Sequence, residues 1–529
     1  MSFPNADHEV VSKSLFTDNM KIVQRKSDLI SLSQLLEHAY KKYKNNVALI
    51  FKDQKIKYKE LYFRTALFTM HLRKMGIRSN DRVLVFIENS VYFYIAYFAV
   101  LQTGSTVAPL NVFLTEKELA YIIKDALPQA IITNNHLKPL VEKALKSLQM
   151  TKIDIVTEDD VDMITPVPND IPEVVIPERD PEKLAVLLYT SGTTGKPKGV
   201  MLSSVNALSN AVQAMTAIDF GESARIFCVL PLFHSFAQNT CIWTAIALGC
   251  SVVIISKIDR RAILKGLIDH KPDIFLGVPA LYGLLCLMKT APLESVRFFV
   301  SGGDALPDKI RSGFALIYNR KICNGYGLTE ASPLISFDTE DMLEATNTVG
   351  RPVANLEYRF KGSDGNDLPH GQIGRLWVKG PNIMMGYYND LSKTEEVLQD
   401  EWLDTGDFAC LSSAGKLVIT GRAKDLIIHK GINIYPQEIE NVLLSHPNVI
   451  RAAVIGKQEE SSGEIPIAFV QLREAQNNIE KELQDICLRE LAPYKVPRKI
   501  KAMIEDMPLT ATKKVDKKQL RNQIQEEVS

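Results

Sequence analysis

No excess of either charge marks this chain: Lys plus Arg and Asp plus Glu each number 62, so no net field draws it to nucleic acid or to an acidic membrane. The seven cysteines lie scattered at 228, 241, 250, 286, 323, 410 and 487, with no CxxC pair and no clustering with histidine. That argues against a disulfide framework and a structural zinc site, and it suggests a reducing, cytoplasmic setting. The N-terminal MSFPNADHEV carries acidic residues and no apolar h-region, so it does not read as a secretory signal. The longest apolar run, Val91 to Leu101, is too short to cross a bilayer and reads as a buried helix, so no transmembrane segment is expected. Internal repeats and low-complexity tracts are lacking too. What is present is an ordinary globular balance, 46% hydrophobic and 23% charged over 529 residues. That length exceeds one ordinary core, so two or more domains and small-molecule partners are expected.

Helix-period and strand-like segments alternate through the first two thirds. Leu61, Thr65, Phe68, Leu72 and Met75 share a helical face closed by Gly76, and Val83–Ile87 follows as a short buried strand. Ala130–Thr133, Val252–Ile255 and Ile274–Leu276 supply further β-branched runs, which predicts α/β layers with largely parallel strands. From about Gly350 the texture changes to short runs such as Arg375–Val378 and Lys416–Ile419, punctuated by Gly, Pro, Asn and Asp, which predicts a β-rich segment. Beyond Gly421-Arg422 the alternation resumes, with Gln437–Leu444 helical, Ala452–Ile455 extended and Ile479–Leu491 an amphipathic helix. A domain boundary is expected near Lys424.

The sharpest chemical signal is the stretch Tyr189-Thr-Ser-Gly-Thr-Thr-Gly-Lys-Pro-Lys-Gly199, directly after the apolar strand Leu184–Leu188. Glycines let backbone approach oxygen atoms closely, hydroxyls can donate, and Lys198 supplies positive charge, which is phosphate-binding chemistry. It is not a Walker A loop, because Gly195-Lys196 is followed by Pro197 instead of Ser or Thr. Four more motifs follow in order: Ser301-Gly-Gly-Asp-Ala305, Asn324-Gly-Tyr-Gly-Leu-Thr-Glu330, Leu403-Asp-Thr-Gly-Asp407 and Gly421-Arg-Ala-Lys-Asp-Leu-Ile-Ile-His-Lys-Gly431. Pro508-Leu-Thr-Ala-Thr-Lys-Lys-Val-Asp516 closes the set, and Pro231-Leu-Phe-His-Ser-Phe236 precedes it. Taken singly, several of these have plainer explanations: a Gly-containing turn, a backbone-capping Asp, a packed histidine, a solvated basic tail.

Taken together, in this order and across nearly the whole chain, the motifs resemble those of the AMP-forming acyl-adenylate superfamily of acyl-CoA synthetases, amino-acid adenylation domains and beetle luciferases. The resemblance implies a large N-terminal portion, residues 1–422, of two α/β sheet subdomains plus a β-barrel, and a small mobile α/β lid at 423–529. It implies that Thr190, Ser191, Gly192, Thr193, Thr194, Gly195 and Lys198 cradle the phosphates of ATP. Gly303, Asn324, Gly325 and Tyr326 would surround adenine, Thr329 would face the α-phosphate and Glu330 would hold Mg²⁺, for which a hard carboxylate oxygen is suited. Asp407 and Arg422 would fix the ribose, Lys424 would be the hinge, and Lys430 and Gly431 would face coenzyme A. Lys514 would be the catalytic lysine, and His234 would gate or contact the substrate carboxylate.

The chain departs from the family pattern at three places: Asp304 stands where a small or apolar residue is common, Ile428 where Lys is frequent, and Lys513 where Gly usually precedes the catalytic lysine. No Asp or Glu lies between Pro231 and Ala245, so the carboxylate partner of an α-ammonium is missing and amino acids are disfavoured as substrates. The wording Gly325-Tyr-Gly-Leu-Thr-Glu330 followed by Ala-Ser-Pro-Leu-Ile-Ser336 is nearest to fatty-acid CoA ligases. The expected activity is therefore AMP-forming activation of a medium- or long-chain fatty acid and transfer to coenzyme A. An aryl or short-chain acid ligase, transfer to a carrier protein in trans, and a non-catalytic nucleotide-binding module stand as alternatives, and peripheral membrane contact is left open.

Overall fold

The computed structural model describes residues 31–163, 175–177, 180–191, 196–221, 223–256, 259–339, 348–369, 371–429, 432–459, 463–509 and 515–526. Strand Arg82–Phe86 is buried from its second residue on, and Ala130–Thr133 and Ile274–Gly277 are buried throughout. Continuous apolar runs of this kind need cover on both faces, which parallel sheets flanked by helices provide. Arg82–Phe86, Thr106–Pro109, Ala130–Thr133, Asp154–Val156 and Leu184–Ser191 accordingly pair in parallel within a seven-stranded sheet. Pro197–Ser203 and the short strand Gly386–Tyr387 extend its other edge in antiparallel fashion.

A nine-stranded sheet runs in parallel from Ile322–Gly327 through Phe298–Ser301, Ile274–Gly277, Arg225–Cys228 and Ser251–Ile254 to Val47–Phe51. Antiparallel strands close both of its ends. The run Val91–Leu101 is a helix, Val91–Gln102, with every residue but Tyr92 buried. Being apolar all round, it lies inside a core whose members include Val83, Val107, Ile226 and Ile274 from both sheets. Helix Glu116–Ala126 shows the contrasting surface pattern, with Thr115 and Glu118 forming a capping box. Among the described residues no helix is long and apolar enough to cross a membrane.

The segment expected to hold the β-barrel is a five-stranded antiparallel sheet built from Glu357–Lys361, Gly374–Lys379, Leu398–Gln399, Trp402–Leu411 and Leu417–Arg422. Its Leu376, Leu403 and Leu417 join the same core. After Arg422 a single 3-10 turn, Ala423–Asp425, leads into a second five-stranded sheet. That sheet has its own core, including Ile427, Ile439, Val454, Ala468, Leu483 and Ile500. Its other face, around Ile455 and Phe469, is covered by Leu520 and Ile524 of the terminal helix Lys517–Glu526. Hydrogen bonds and a ring contact among the described residues join this part to the rest. Lys309 donates to the carbonyls of His446 (3.1 Å) and Pro447 (3.3 Å), and the Phe408 and Tyr435 rings meet nearly edge-on at 5.6 Å.

Candidate active site

The signature loop leaves a two-stranded ribbon in which Thr190 pairs with Lys198 and Ser191 with Pro197. Gly192, Thr193, Thr194 and Gly195 lie outside the described residues. Lys198 is half-buried, with its ammonium 5.0 Å from the centre of the Tyr387 ring. Burial, and the nearby positive charge of Lys393, hold its pKa below the usual lysine range, although the Glu330 carboxylate opposes both.

The second motif ends a strand of the other large sheet. Strand Ile322–Gly327 carries Asn324, Gly325 and Tyr326 to the carboxyl end of the parallel array, where ligands of open α/β sheets bind. Gly327 must be glycine: a Cβ there would stand 1.9 Å from the Pro333 carbonyl oxygen. Asn324 is buried and donates through Nδ2 to the Thr348 carbonyl (3.3 Å), while its Oδ1 finds no partner among the described residues. Gly303, in the left-handed region at φ 82°, closes the turn after the neighbouring strand.

Tyr326 reaches the antiparallel sheet. Its hydroxyl donates to Asp407 Oδ2 at 2.5 Å, and Arg422 Nε lies 3.4 Å from Asp407 Oδ1. Asp407 and Arg422 face each other across adjacent strands, so the carboxylate is buried and the exposed guanidinium leans over it. Burial, together with the Asp407 carboxylate, drives the Tyr326 phenol well above its ordinary pKa, so the hydroxyl remains a donor. The ribose motif and the adenine motif of the sequence thus meet in one hydrogen-bonded cluster.

Thr329 and Glu330 occupy a 3-10 turn, Thr329–Ala331, and both are half-buried. Thr329 Oγ1 is 3.3 Å from Ser235 Oγ, which brings in the Pro231–Phe236 segment. His234 there caps the short helix Ser235–Ala237, its Nδ1 accepting from the Phe236 N–H at 3.3 Å. An acceptor Nδ1 places the neutral ring's proton on Nε2. Glu330 Oε1 accepts from the Tyr387 hydroxyl at 2.9 Å, and no other hydrogen bond or ion pair holds this carboxylate among the described residues. Its second oxygen is therefore available to a cation. No group of three or more His, Cys, Asp or Glu side chains gathers as a metal cage among the described residues. A single carboxylate suits Mg²⁺, which prefers to keep waters and substrate phosphates as its remaining ligands.

The Glu330 turn is tied down from beneath by Asn382, fully buried, whose Nδ2 donates to the Ala331 carbonyl (2.8 Å) and the Leu334 carbonyl (3.3 Å). Asn382→Ala would strand the Ala331 carbonyl, while the Leu334 carbonyl keeps its bond from Asn210 Nδ2 (2.8 Å), with an expected loss of about 1–3 kcal/mol. Calorimetric unfolding with and without MgATP would check this: a lowered midpoint and a diminished shift on adding nucleotide are expected.

Lys424 sits exposed in the turn Ala423–Asp425. Lys430, Gly431 and Lys514 lie outside the described residues. Neither Ser235 nor Tyr387 was singled out by the motifs. Gly386-Tyr387 followed by Thr394 was the available cue, because Gly386 has φ 137° and Thr394 Oγ1 accepts from the Tyr387 N–H at 2.8 Å.

Known proteins resemble this chain along most of its length. The AMP-binding enzyme family matches residues 36–388, and the AMP-binding enzyme C-terminal domain matches 438–514. The chain belongs to the AMP-binding enzyme family. It is 31% identical to a long-chain-fatty-acid–CoA ligase of Bacillus subtilis over 93% of this chain and 94% of that protein. It is also 31% identical to a feruloyl-CoA synthase of an Amycolatopsis species, over 88% of this chain and 93% of the relative. Among solved structures, the o-succinylbenzoate CoA synthetase of Bacillus subtilis with ATP and magnesium superposes with a TM-score of 0.82 at 28% identity, covering 93% of this chain and 99% of that one. An anthranilate CoA ligase bound to anthranoyl-AMP gives 0.86 at 26% identity, over 94% and 99%. These relatives share acid–CoA ligation, and their acids range from aliphatic to aromatic.

Proposed function

We propose that this AMP-binding enzyme is an AMP-forming acid–CoA ligase that adenylates a medium- or long-chain fatty acid and transfers the acyl group to coenzyme A. The observation that carries the reading is the meeting of three sheets at one cluster: Lys198 from the first, Tyr326 and Glu330 from the second, Asp407 and Arg422 from the third. The arrangement offers positive charge, a hydrogen-bonded carboxylate and a free carboxylate oxygen, the groups needed to hold a nucleoside triphosphate by its phosphates, its ribose and its cation. Bound Mg²⁺ would supply charge neutralisation at the phosphates. Lys198 and Thr329 would orient the α-phosphate for in-line attack by the substrate carboxylate, and His234, beside Ser235, would border the acyl entrance. Such catalysis is positioning and electrostatics, with no covalent enzyme intermediate. Residues 1–422 would form the adenylating portion and 423–529 a lid hinged at Lys424, bringing Lys514 and then Lys430-Gly431 to the reaction, in a cytoplasmic enzyme.

The fatty-acid assignment is supported by the wording after Glu330, by the lack of acidic residues between Pro231 and Ala245, and by the Bacillus subtilis relative. Scoring AMP release with CoA present across fatty acids, cinnamates, acetate and amino acids tests it. Because each methylene buried contributes about 0.8 kcal/mol, a long apolar pocket should favour a decanoate-length chain over acetate by about a hundredfold or more in kcat/KM. A preference for cinnamates would replace the acid while leaving the adenylating chemistry in place.

A further inference from the structure

Among the described residues, the two opposite charges proposed to handle phosphate and cation, Lys198 and Glu330, make no direct ion pair within 4.0 Å. Tyr387 contacts both. Its ring lies under the Lys198 ammonium at 5.0 Å, and its hydroxyl donates to Glu330 Oε1 at 2.9 Å. The backbone repeats the same bridge. The Met385 N–H donates to the Met201 carbonyl (2.9 Å) and the Tyr388 N–H to the Gly199 carbonyl (2.7 Å), on the strand that carries Lys198. The Met384 N–H donates to the carbonyl of Glu330 itself at 2.9 Å. Tyr387 is 7% exposed, and its own N–H is taken by Thr394 Oγ1, so the ring has little freedom to leave.

We infer that Tyr387 is a positioning residue that holds Lys198 and Glu330 apart and aimed, keeping the ammonium available to phosphate and the second carboxylate oxygen available to a divalent cation; the inference rests on the adenylating reading given above. A direct Lys198–Glu330 pair would spend both charges on each other. A neutral phenol donor satisfies one carboxylate oxygen without neutralising the group, and the negative face of the ring steadies the ammonium without replacing it. Partners that orient a metal-binding carboxylate in this manner typically govern cation affinity.

Two variants of the full chain separate the contributions. Tyr387→Phe keeps the ring and removes the hydroxyl, whereas Tyr387→Leu removes both. ATP binding is measured by calorimetry across a magnesium titration, alongside acid-dependent pyrophosphate exchange and ligand-free thermal unfolding. Tyr387→Phe should raise the half-saturating magnesium concentration by about tenfold, with ATP affinity at saturating magnesium and the ligand-free midpoint close to those of the unmodified protein. Tyr387→Leu should in addition weaken ATP several-fold at saturating magnesium. A Tyr387→Phe variant with unchanged magnesium dependence overturns the inference, and so does one that loses ATP binding equally at all magnesium concentrations. An unmodified protein that neither binds MgATP nor exchanges pyrophosphate would instead overturn the adenylating reading beneath it.

Discussion

Lys514→Ala is expected to slow acid-dependent ATP–pyrophosphate exchange by about a hundredfold or more, the range seen when one preorganised donor to developing charge is deleted. Negative charge concentrates on the α-phosphate as the acid carboxylate attacks and pyrophosphate departs, so a cation fixed there acts on the transition state more than on bound ATP. ATP affinity should therefore change less than the rate. Lys514 lies outside the described residues, and its assignment comes from the motif Pro508–Asp516. The flanks of that motif are well anchored. Leu509 pairs with Val515, the Asp516 N–H donates to the Pro508 carbonyl, and the Asp516 side chain caps the following helix through the Lys518 and Gln519 N–H groups. The nearby basic residues are not a uniformly solvated tail, since Lys517 pairs with Glu440 at 2.7 Å and Arg521 with Asp425 at 2.8 Å. Lys513→Ala should be mild by the same exchange measurement. Equal losses in the two variants, or a loss in Lys513→Ala alone, would shift the motif by one residue.

Much of the fold was legible because periodicity is a local property. Ala130–Thr133 appears as a strand with the expected bounds, Ile479–Leu491 as the helix Ile479–Glu490, and the all-apolar Val91–Leu101 as the helix buried between two sheets. The parallel order followed from strands without alternation, and the β-rich character of the third sheet, though not its antiparallel pairing, from the Gly- and Pro-punctuated texture after Gly350. In the candidate site, the motifs named residues one at a time, and the partners of those residues did not follow. Tyr326 was expected to meet adenine with its ring. That its hydroxyl meets Asp407, across a sequence separation of 81, depends on where a third sheet packs. Tyr387 and Glu330 stand 57 residues apart, and Asn382 lies 51 from Ala331, so no window of helix or strand period connects them. Such contacts are fixed by tertiary packing, which the pattern within one element does not encode.

Lys424→Pro should divide the two half-reactions, preserving acyl-adenylate formation while suppressing acyl-CoA formation. If one lid serves both steps, dihedrals at the joint between sheets must change, and a hinge is where a few residues absorb that change. The joint here is short. Arg422 still pairs with Asp407 in the preceding sheet, Ile427 already belongs to the following core, and only the turn Ala423–Asp425 and Leu426 lie between. Asp425 is held by Arg521 on the terminal helix Lys517–Glu526, so the freedom that remains falls on Ala423 and Lys424. Proline locks φ near −65° and removes one N–H. The hydrogen bond of the turn runs from the Leu426 N–H to the Ala423 carbonyl, so Pro at 424 takes away neither partner. The substitution therefore restricts motion more than it disrupts structure. Pyrophosphate exchange reports the first step, and thioester formation from a supplied acyl-adenylate reports the second. A fall in both rates together would point to strain at Ala423, which precedes the new proline and is pushed out of the helical region. If neither rate falls, Lys424 is not the hinge and the pivot lies elsewhere along the chain.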